Sequence, residues 1–264
     1  MPAMGKVYLI GAGPGDPDLM TVKALKTLGQ TDVVVHDRLV SDEVLALAPR
    51  KAALLSVGKA PKQHPVPQHE INALLVRLAQ GGLTVARLKG GDPLIFGRGG
   101  EEALELIEAG IPFEIIPGIT SAQACAAQFG IPLTHRGLAT SVRYLTGHCK
   151  EDEPLALDWK GLADGQTTLV IYMGFAQIRQ VAVALMRHGM DPSTPAAAVA
   201  NGARADARSL RSTIGEIAAD LERSELSNPV TIFVGEAIGI ELVPSAPARP
   251  ALRLVARERE ALHA

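Results

Sequence analysis

A chain of 264 residues that is 47% apolar, 20% charged and 3% aromatic can bury a large core and has the make-up of an ordinary globular protein. Its formal charge of −2 excludes a global positive field for nucleic acid or anionic membrane. The opening MPAMGKVYLIGAG holds an apolar run too short for a signal peptide or an anchor, so a cytoplasmic protein with neither nucleic-acid nor membrane partners is expected.

VYLI at 7–10 reads as a buried strand, followed by a helix around 21–28, a strand at 32–36 and a helix from Ser41. Ile71, Leu74, Leu75 and Leu78 recur at helical spacing and Gly81 stands just beyond, which predicts a helix over 68–80 with a glycine cap. The strand TVARL at 84–88 follows. A helix from about 100 to 109, the strand FEIIP and a helix from about 121 to 129 complete the first half. This alternation is that of a mainly parallel sheet covered on both faces.

From 147 to 166 the chain is charged, contains Pro154 and Gly161, and shows no period, as an interdomain connection does. Alternation then resumes with the strand TTLVIYM at 167–173, a helix carrying Ile178, Val181, Ala182 and Leu185, the strand PAAAVA, a helix from Gly215 to about 223 and the strand PVTIFVG. The expectation is two α/β domains, 1–146 and 167–243, joined by 147–166 and followed by a proline- and arginine-rich surface tail at 244–264. Cys125 and Cys149 have no CxxC spacing, so they read as structural or incidental thiols and no metal site is expected.

Three loops carry the chemistry. GAGPGD at 11–16 follows the first strand, but Asp16 stands where a dinucleotide fingerprint needs its third glycine, and its carboxylate would repel a pyrophosphate. Asp37, at the end of the second strand, is where such an enzyme places its ribose-binding acid, which keeps that alternative open; a plain strand-to-helix turn is the other. LKGGDPLIFGRGGEE at 88–102 has glycines at the carboxyl end of a strand, where backbone can approach a ligand. Glu101 and Glu102 fall in the first turn of the next helix, as the helix dipole favours; capping accounts for Glu102 more readily than for Glu101. Arg98 has less structural excuse. PGITSA at 117–122 puts Thr120 and Ser121 at a helix start, where one of them is expected to cap. THR at 134–136 offers His135 and Arg136 in a loop, and Met173 ends a strand.

Taken in order, GAGPGDPDLMTVKAL, VVHDRLVS, VGK, VPQHEIN, VARLKGGDPLIFGRGGEEA, IPFEIIPGITSA, GIPLTHRG, TGH, TLVIYMG and ANGAR resemble the uroporphyrinogen-III C-methyltransferases, members of the S-adenosylmethionine (SAM)-dependent tetrapyrrole methyltransferases, from residue 5 to about 240. The resemblance implies two α/β domains with the cofactor in the cleft between them, a homodimer, no metal, and two methyl transfers from SAM to uroporphyrinogen III. It assigns cofactor contacts to Pro14, Gly90, Gly91, Asp92, Ile95, Thr120, Ser121, Met173 and Gly202. It makes Asp37 and Lys59 proton acceptor and donor, and places Arg98 and Glu101 against the tetrapyrrole.

The chemistry fits. A sulfonium cation needs backbone carbonyls and CH···O contacts in place of a phosphate-type cation cluster. Uroporphyrinogen carries eight carboxylates, which gives Arg38, Lys59, Arg98 and Arg136, with His135 and Met173 beside them, an anionic substrate to meet. His36, the helix QACAAQF and NGARADAR depart from the family pattern, which weakens the carry-over near 36, 123–129 and 201–208. A later precorrin methyltransferase or an rRNA ribose methyltransferase would share the cofactor loops; the charge argues against RNA and the unbroken 88–102 stretch argues for uroporphyrinogen. A module that binds SAM without turnover is the non-enzymatic alternative.

Overall fold

The computed structural model describes residues 4–58, 66–147 and 155–242. Lys59, Cys149 and the tail at 244–264 lie outside the described residues. In chain order the elements are β1 (Lys6–Gly11), α1 (Val22–Leu28), β2 (Val33–His36), α2 (Asp42–Leu45), β3 (Ala53–Ser56), α3 (Gln68–Gln80), β4 (Thr84–Lys89), α4 (Gly99–Glu108) and β5 (Phe113–Ile116). They continue with α5 (Ser121–Gln128), β6 (Ser141–Thr146), α6 (Trp159–Leu162), β7 (Thr167–Tyr172), α7 (Ile178–Arg187), β8 (Pro195–Ala200), β9 (Arg208–Thr213), α8 (Ile217–Arg223) and β10 (Val230–Val234).

The first sheet is parallel throughout, in the order β3-β2-β4-β1-β5. Alternate residues of β1 serve opposite layers. Val7 and Leu9 pack with Ile71, Leu75 and Leu106 of α3 and α4, while Ile10 packs with Ala24, Leu28 and Val44 of α1 and α2. Because both faces are covered, β1 and β2 read as apolar runs, and α3 ends on the expected Gly81 cap. Ile10 pairs with Leu88 and Gly11 with Lys89, so the loops leaving β1 and β4 emerge side by side at the carboxyl edge.

The second sheet, β6-β7-β10-β8-β9, is mixed: only β6 and β7 are parallel. Leu169, Ile171 and Ile232 face α7 and α8 through Val181, Leu185, Ile217 and Leu221. The opposite face, with Val170, Val199 and Phe233, takes Ala122, Cys125 and Ala126 of α5.

Two expectations need correction. The strands β3, β6 and β9 were not anticipated; all three are sheet edges with no fully buried residue, β6 and β9 mix polar with apolar side chains, and β3 is only four residues long. The crossing between sheets also comes earlier than 147–166. β6 belongs to the second sheet and α5 packs on it, so the chain passes over at Pro117–Thr120. The described part of 147–166 covers the second core with Leu155, Leu157, Trp159 and Leu162.

Candidate active site

Three loops meet at the carboxyl edge of the first sheet. Gly91 N–H donates to Gly13 O (2.6 Å) and Gly13 N–H to Gly91 O (3.2 Å), which zips the GAGPGD turn to the Gly90–Gly91 turn. Both glycines need left-handed backbone, φ +74 at Gly13 and φ +71 at Gly91. A Cβ on Gly11 would strike the Gly118 backbone, and one on Gly118 the Gly91 carbonyl, so the third loop lies in direct backbone contact with the other two. Asp92 fastens them: Oδ1 accepts from Leu94 N–H (2.8 Å) and Oδ2 from Gly118 N–H (3.0 Å). Asp16 caps the short 3-10 turn at Pro17–Leu19 through Asp18 N–H, a structural use for the residue that breaks the dinucleotide fingerprint.

Below this edge lies a buried charge cluster. Arg87 and Lys89 project from the same face of β4, and both reach Glu102 Oε1, Arg87 Nε at 3.1 Å and Lys89 Nζ at 2.7 Å. Gln68 Nε2 donates to the same oxygen (3.1 Å), and Arg87 Nη2 stands 3.8 Å from Asp37 Oδ2. Glu102 is fully buried and its Oε2 has no partner among the described residues. The capping reading of Glu102 is therefore wrong: α4 turns this side chain inward onto two cations. Burial and the neighbouring Arg87 hold the Lys89 ammonium below its ordinary range, ahead of the upward pull of Glu102.

The second sheet supplies the opposite wall. Thr120 caps α5, Thr231 of β10 donates to Ser121 Oγ (3.3 Å), and Tyr172 at the end of β7 accepts from Ala122 N–H (3.3 Å). Tyr172 also packs against Phe96 at 5.1 Å between ring centroids, closing the cleft across the two sheets. Gly202 is required by Cys125, whose Sγ occupies the place a Cβ would take. Burial pushes the Cys125 thiol up to about 11, which suits the incidental role expected of it. Among the described residues, the non-glycine positions with positive φ are Phe96, Arg98, Met173, Asn201 and Ala203; the first three line the cleft and the last two flank Gly202. Such strained backbone gathers where a site over-determines it.

These walls enclose a cavity of about 670 Å³. It is lined by all nine residues expected to touch the cofactor, Pro14, Gly90, Gly91, Asp92, Ile95, Thr120, Ser121, Met173 and Gly202, together with Asp37, Arg38 and Arg98. Glu101 lies just off it, holding Arg98 from the first turn of α4 by two bonds of 2.9 and 2.6 Å. His135 and Arg136 are not brought in; they occupy an exposed turn closed by the His135–Ala139 bridge. A larger hollow of about 1400 Å³ lies across Arg38 and Arg204, but none of the nine lines it. The sequence reading missed Arg87, Lys89, Glu102, Tyr172 and Arg204. For the first two the signal was visible: two cations two residues apart in a strand otherwise patterned for burial.

Among the described residues no helix is long and apolar enough to cross a membrane, and no group of three or more His, Cys, Asp or Glu has the arrangement of a metal site.

Residues 6–218 match the family model of the Tetrapyrrole (Corrin/Porphyrin) Methylases. A uroporphyrinogen-III C-methyltransferase from Paracoccus denitrificans is 54% identical over 256 residues, 96% of this chain and 89% of that protein. A siroheme synthase from Hahella chejuensis is 50% identical over 234 residues, 89% of this chain but only half of that longer protein. Among solved structures, the uroporphyrin-III C-methyl transferase from Thermus thermophilus complexed with S-adenyl homocysteine superposes with a TM-score of 0.78 at 39% identity, covering 92% of this chain and 98% of that one. With the glycine-zipped cleft, the two α/β sheets and these matches in agreement, the chain belongs to the tetrapyrrole (corrin/porphyrin) methylase family.

Proposed function

We propose that this protein is a SAM-dependent uroporphyrinogen-III C-methyltransferase that makes precorrin-2 and S-adenosylhomocysteine by two successive methyl transfers. The observation that supports it best is the convergence of all nine expected cofactor residues on one cavity between the sheets. Its volume lies within the range typical of small-molecule sites, about 300–1,000 Å³. Gly91 is needed for its left-handed backbone, φ +71, which sets the turn beside Thr120 and Ser121.

Bound SAM would supply an electrophilic methyl group on a sulfonium. The rest falls to the chain. The Gly90–Gly91 turn and the start of α5 orient the cofactor, and Met173 and Phe96 close the rim between the sheets. Asp37 has Oδ1 engaged by Leu39 N–H (2.9 Å), and its Oδ2, 3.8 Å from Arg87 Nη2, takes the proton that the methylated pyrrole must lose. Lys59 is proposed as proton donor on the resemblance alone. Arg98, whose Nε and Nη2 are held by Glu101, turns its remaining Nη1 edge to a substrate carboxylate, and Arg38 meets another at the rim. His135 and Arg136 stay in the proposal as an outer pair, also on the resemblance. Much of the rate then comes from alignment of ring carbon, methyl and sulfur.

The two sheets are proposed as two domains, and the protein as a cytoplasmic homodimer whose product feeds siroheme, cobalamin or heme d1. The test is anaerobic incubation of protein, SAM and uroporphyrinogen III, followed by absorption and mass. A product carrying two added methyl groups, each offset by the loss of one proton, is expected. Absence of methylated product from folded, SAM-binding protein overturns the reading, and leaves a SAM-binding module.

A further inference from the structure

The fully buried part of the charge cluster under the cleft holds two cations and one anion, with Asp37 at its edge. Arg87 and Lys89 have side chains only 4% exposed, and they share a single oxygen of one carboxylate, Glu102. Asp37, the next nearest anion, stands 3.8 Å from Arg87 and is itself part-exposed. Two buried cations against one buried anion is an expensive arrangement, and a buried ion cluster is often less stabilising than apolar residues of similar volume. Stability of the fold therefore does not explain it.

Among the described residues five cations line the cavity: Arg38, Arg87, Lys89, Arg98 and Arg204. Arg98 commits Nε and Nη2 to Glu101, Arg87 is bonded to Glu102 and Leu88 O, Arg204 donates to Leu39 O (2.7 Å), and Arg38 is exposed at the rim. Lys89 makes one hydrogen bond, to Glu102, and an ammonium has three N–H donors. It follows Leu88 at the end of β4 and precedes the Gly90–Gly91 turn, so it is fixed in the floor of the cleft by its pairing with Gly11 of β1.

We propose that Lys89, held by Glu102 and backed by Arg87, is a substrate-binding residue that pairs with a carboxylate arm of the tetrapyrrole through the ammonium donors that Glu102 leaves unused. The cofactor also carries a carboxylate, but its sulfonium and amino group are cations that a buried ammonium repels. The tetrapyrrole is the stronger match because it brings eight carboxylates and no positive charge. This inference rests on the function proposed above and deepens it.

The experiment compares the wild type with Lys89→Met and Lys89→Gln in the full chain. Glu102 keeps Arg87 and Gln68 as partners in both, so neither variant strands the carboxylate. Three quantities are read: Kd for S-adenosylhomocysteine by calorimetry, Kd for uroporphyrinogen III on the S-adenosylhomocysteine-loaded protein under anaerobic conditions, and Tm. The expected result is tetrapyrrole affinity at least tenfold weaker in both variants, S-adenosylhomocysteine affinity within twofold of wild type, and an unchanged or higher Tm. Unchanged tetrapyrrole affinity in a folded variant overturns the proposal, as does a parallel loss of S-adenosylhomocysteine affinity, which would make Lys89 a cofactor contact. Should Lys89→Met fail to fold, Lys89→Gln, which keeps a hydrogen-bond donor without the charge, decides alone. Wild-type protein that binds S-adenosylhomocysteine but no tetrapyrrole would instead refute the proposed function, and this inference with it.

Discussion

The first sheet reaches the cavity with loops, the second with strand ends and a helix start. From the first come the two glycine turns, Asp92 and Arg98, all within continuous motifs, and side-chain-free backbone does much of the shaping. From the second come Met173, Gly202 and Thr231, scattered residues from short segments far apart in the chain, with Gly202 held in place by the Cys125 packed behind it. The contrast is one of physical cause. Backbone geometry sets the first wall, whereas core packing sets the second, so substitutions in the two walls ought to fail differently.

The sharpest test falls on the first wall. Gly91→Val forces a branched Cβ into left-handed backbone at φ +71 and toward Thr120. Affinity for SAM is expected to drop well over tenfold. Calorimetry on a folded variant with unchanged affinity would remove this loop from the site and collapse the contrast.

Arg98 probes the same wall for chemistry. The Arg98–Glu101 pair is exposed, each side chain 54%, so it contributes at most about 1 kcal/mol to stability. Arg98→Lys should leave SAM affinity and Tm nearly unchanged and lower turnover at least tenfold, since one charge-assisted bond is worth about 1.5–3 kcal/mol and misalignment adds to that. Arg98→Ala should be slower still. Full activity in Arg98→Ala, measured by methyl-transfer rate, sinks the substrate role.

On the second wall, stability and binding should move together. Gly202→Ala drives a methyl into Cys125 Sγ, an overpacking expected to cost about 1–3 kcal/mol in urea unfolding and to weaken SAM binding in step. Cys125→Ala removes the obstacle, so the double variant should recover much of both. If Gly202→Ala alone is neutral, the packing account of this wall is wrong.

The smallest expected effect lies far from the cavity and serves as a control. Lys23 and Lys6 hold the Glu114 carboxyl down at about 2, against an ordinary value of 4.5. A depressed folded-state pKa contributes stability that is present above 4.5 and lost as pH falls through 2. Glu114→Gln should flatten this part of the acid unfolding curve and leave SAM binding at neutral pH untouched; an unaltered acid limb would mean the ion pairs are solvent-screened to nothing.

Much of the fold was legible. Residues 7–10, 68–80 and 178–187 announced strand and helix because each buries a continuous run or one helical stripe. β3, β6 and β9 were illegible because an edge strand buries little and its side chains follow no alternation strong enough to read. The position of the crossing was misread for a related reason: the charged stretch after 147 has a loop's composition, yet its later part lies on a core it helps to cover.

The sequence by itself determined the alternation of strand and helix, the glycine turns at 11–15 and 90–91, and the family resemblance, since each depends on residues close together in the chain. Only the tertiary structure decided that Asp37, Arg87, Lys89 and Glu102 form one cluster and that Glu102 faces inward while Glu101 faces out to Arg98. The reason lies in the parallel sheet. Its register sets the ends of β2 and β4 beside one another, and the helical rotation between successive residues turns one glutamate of α4 toward those ends and its neighbour toward solvent.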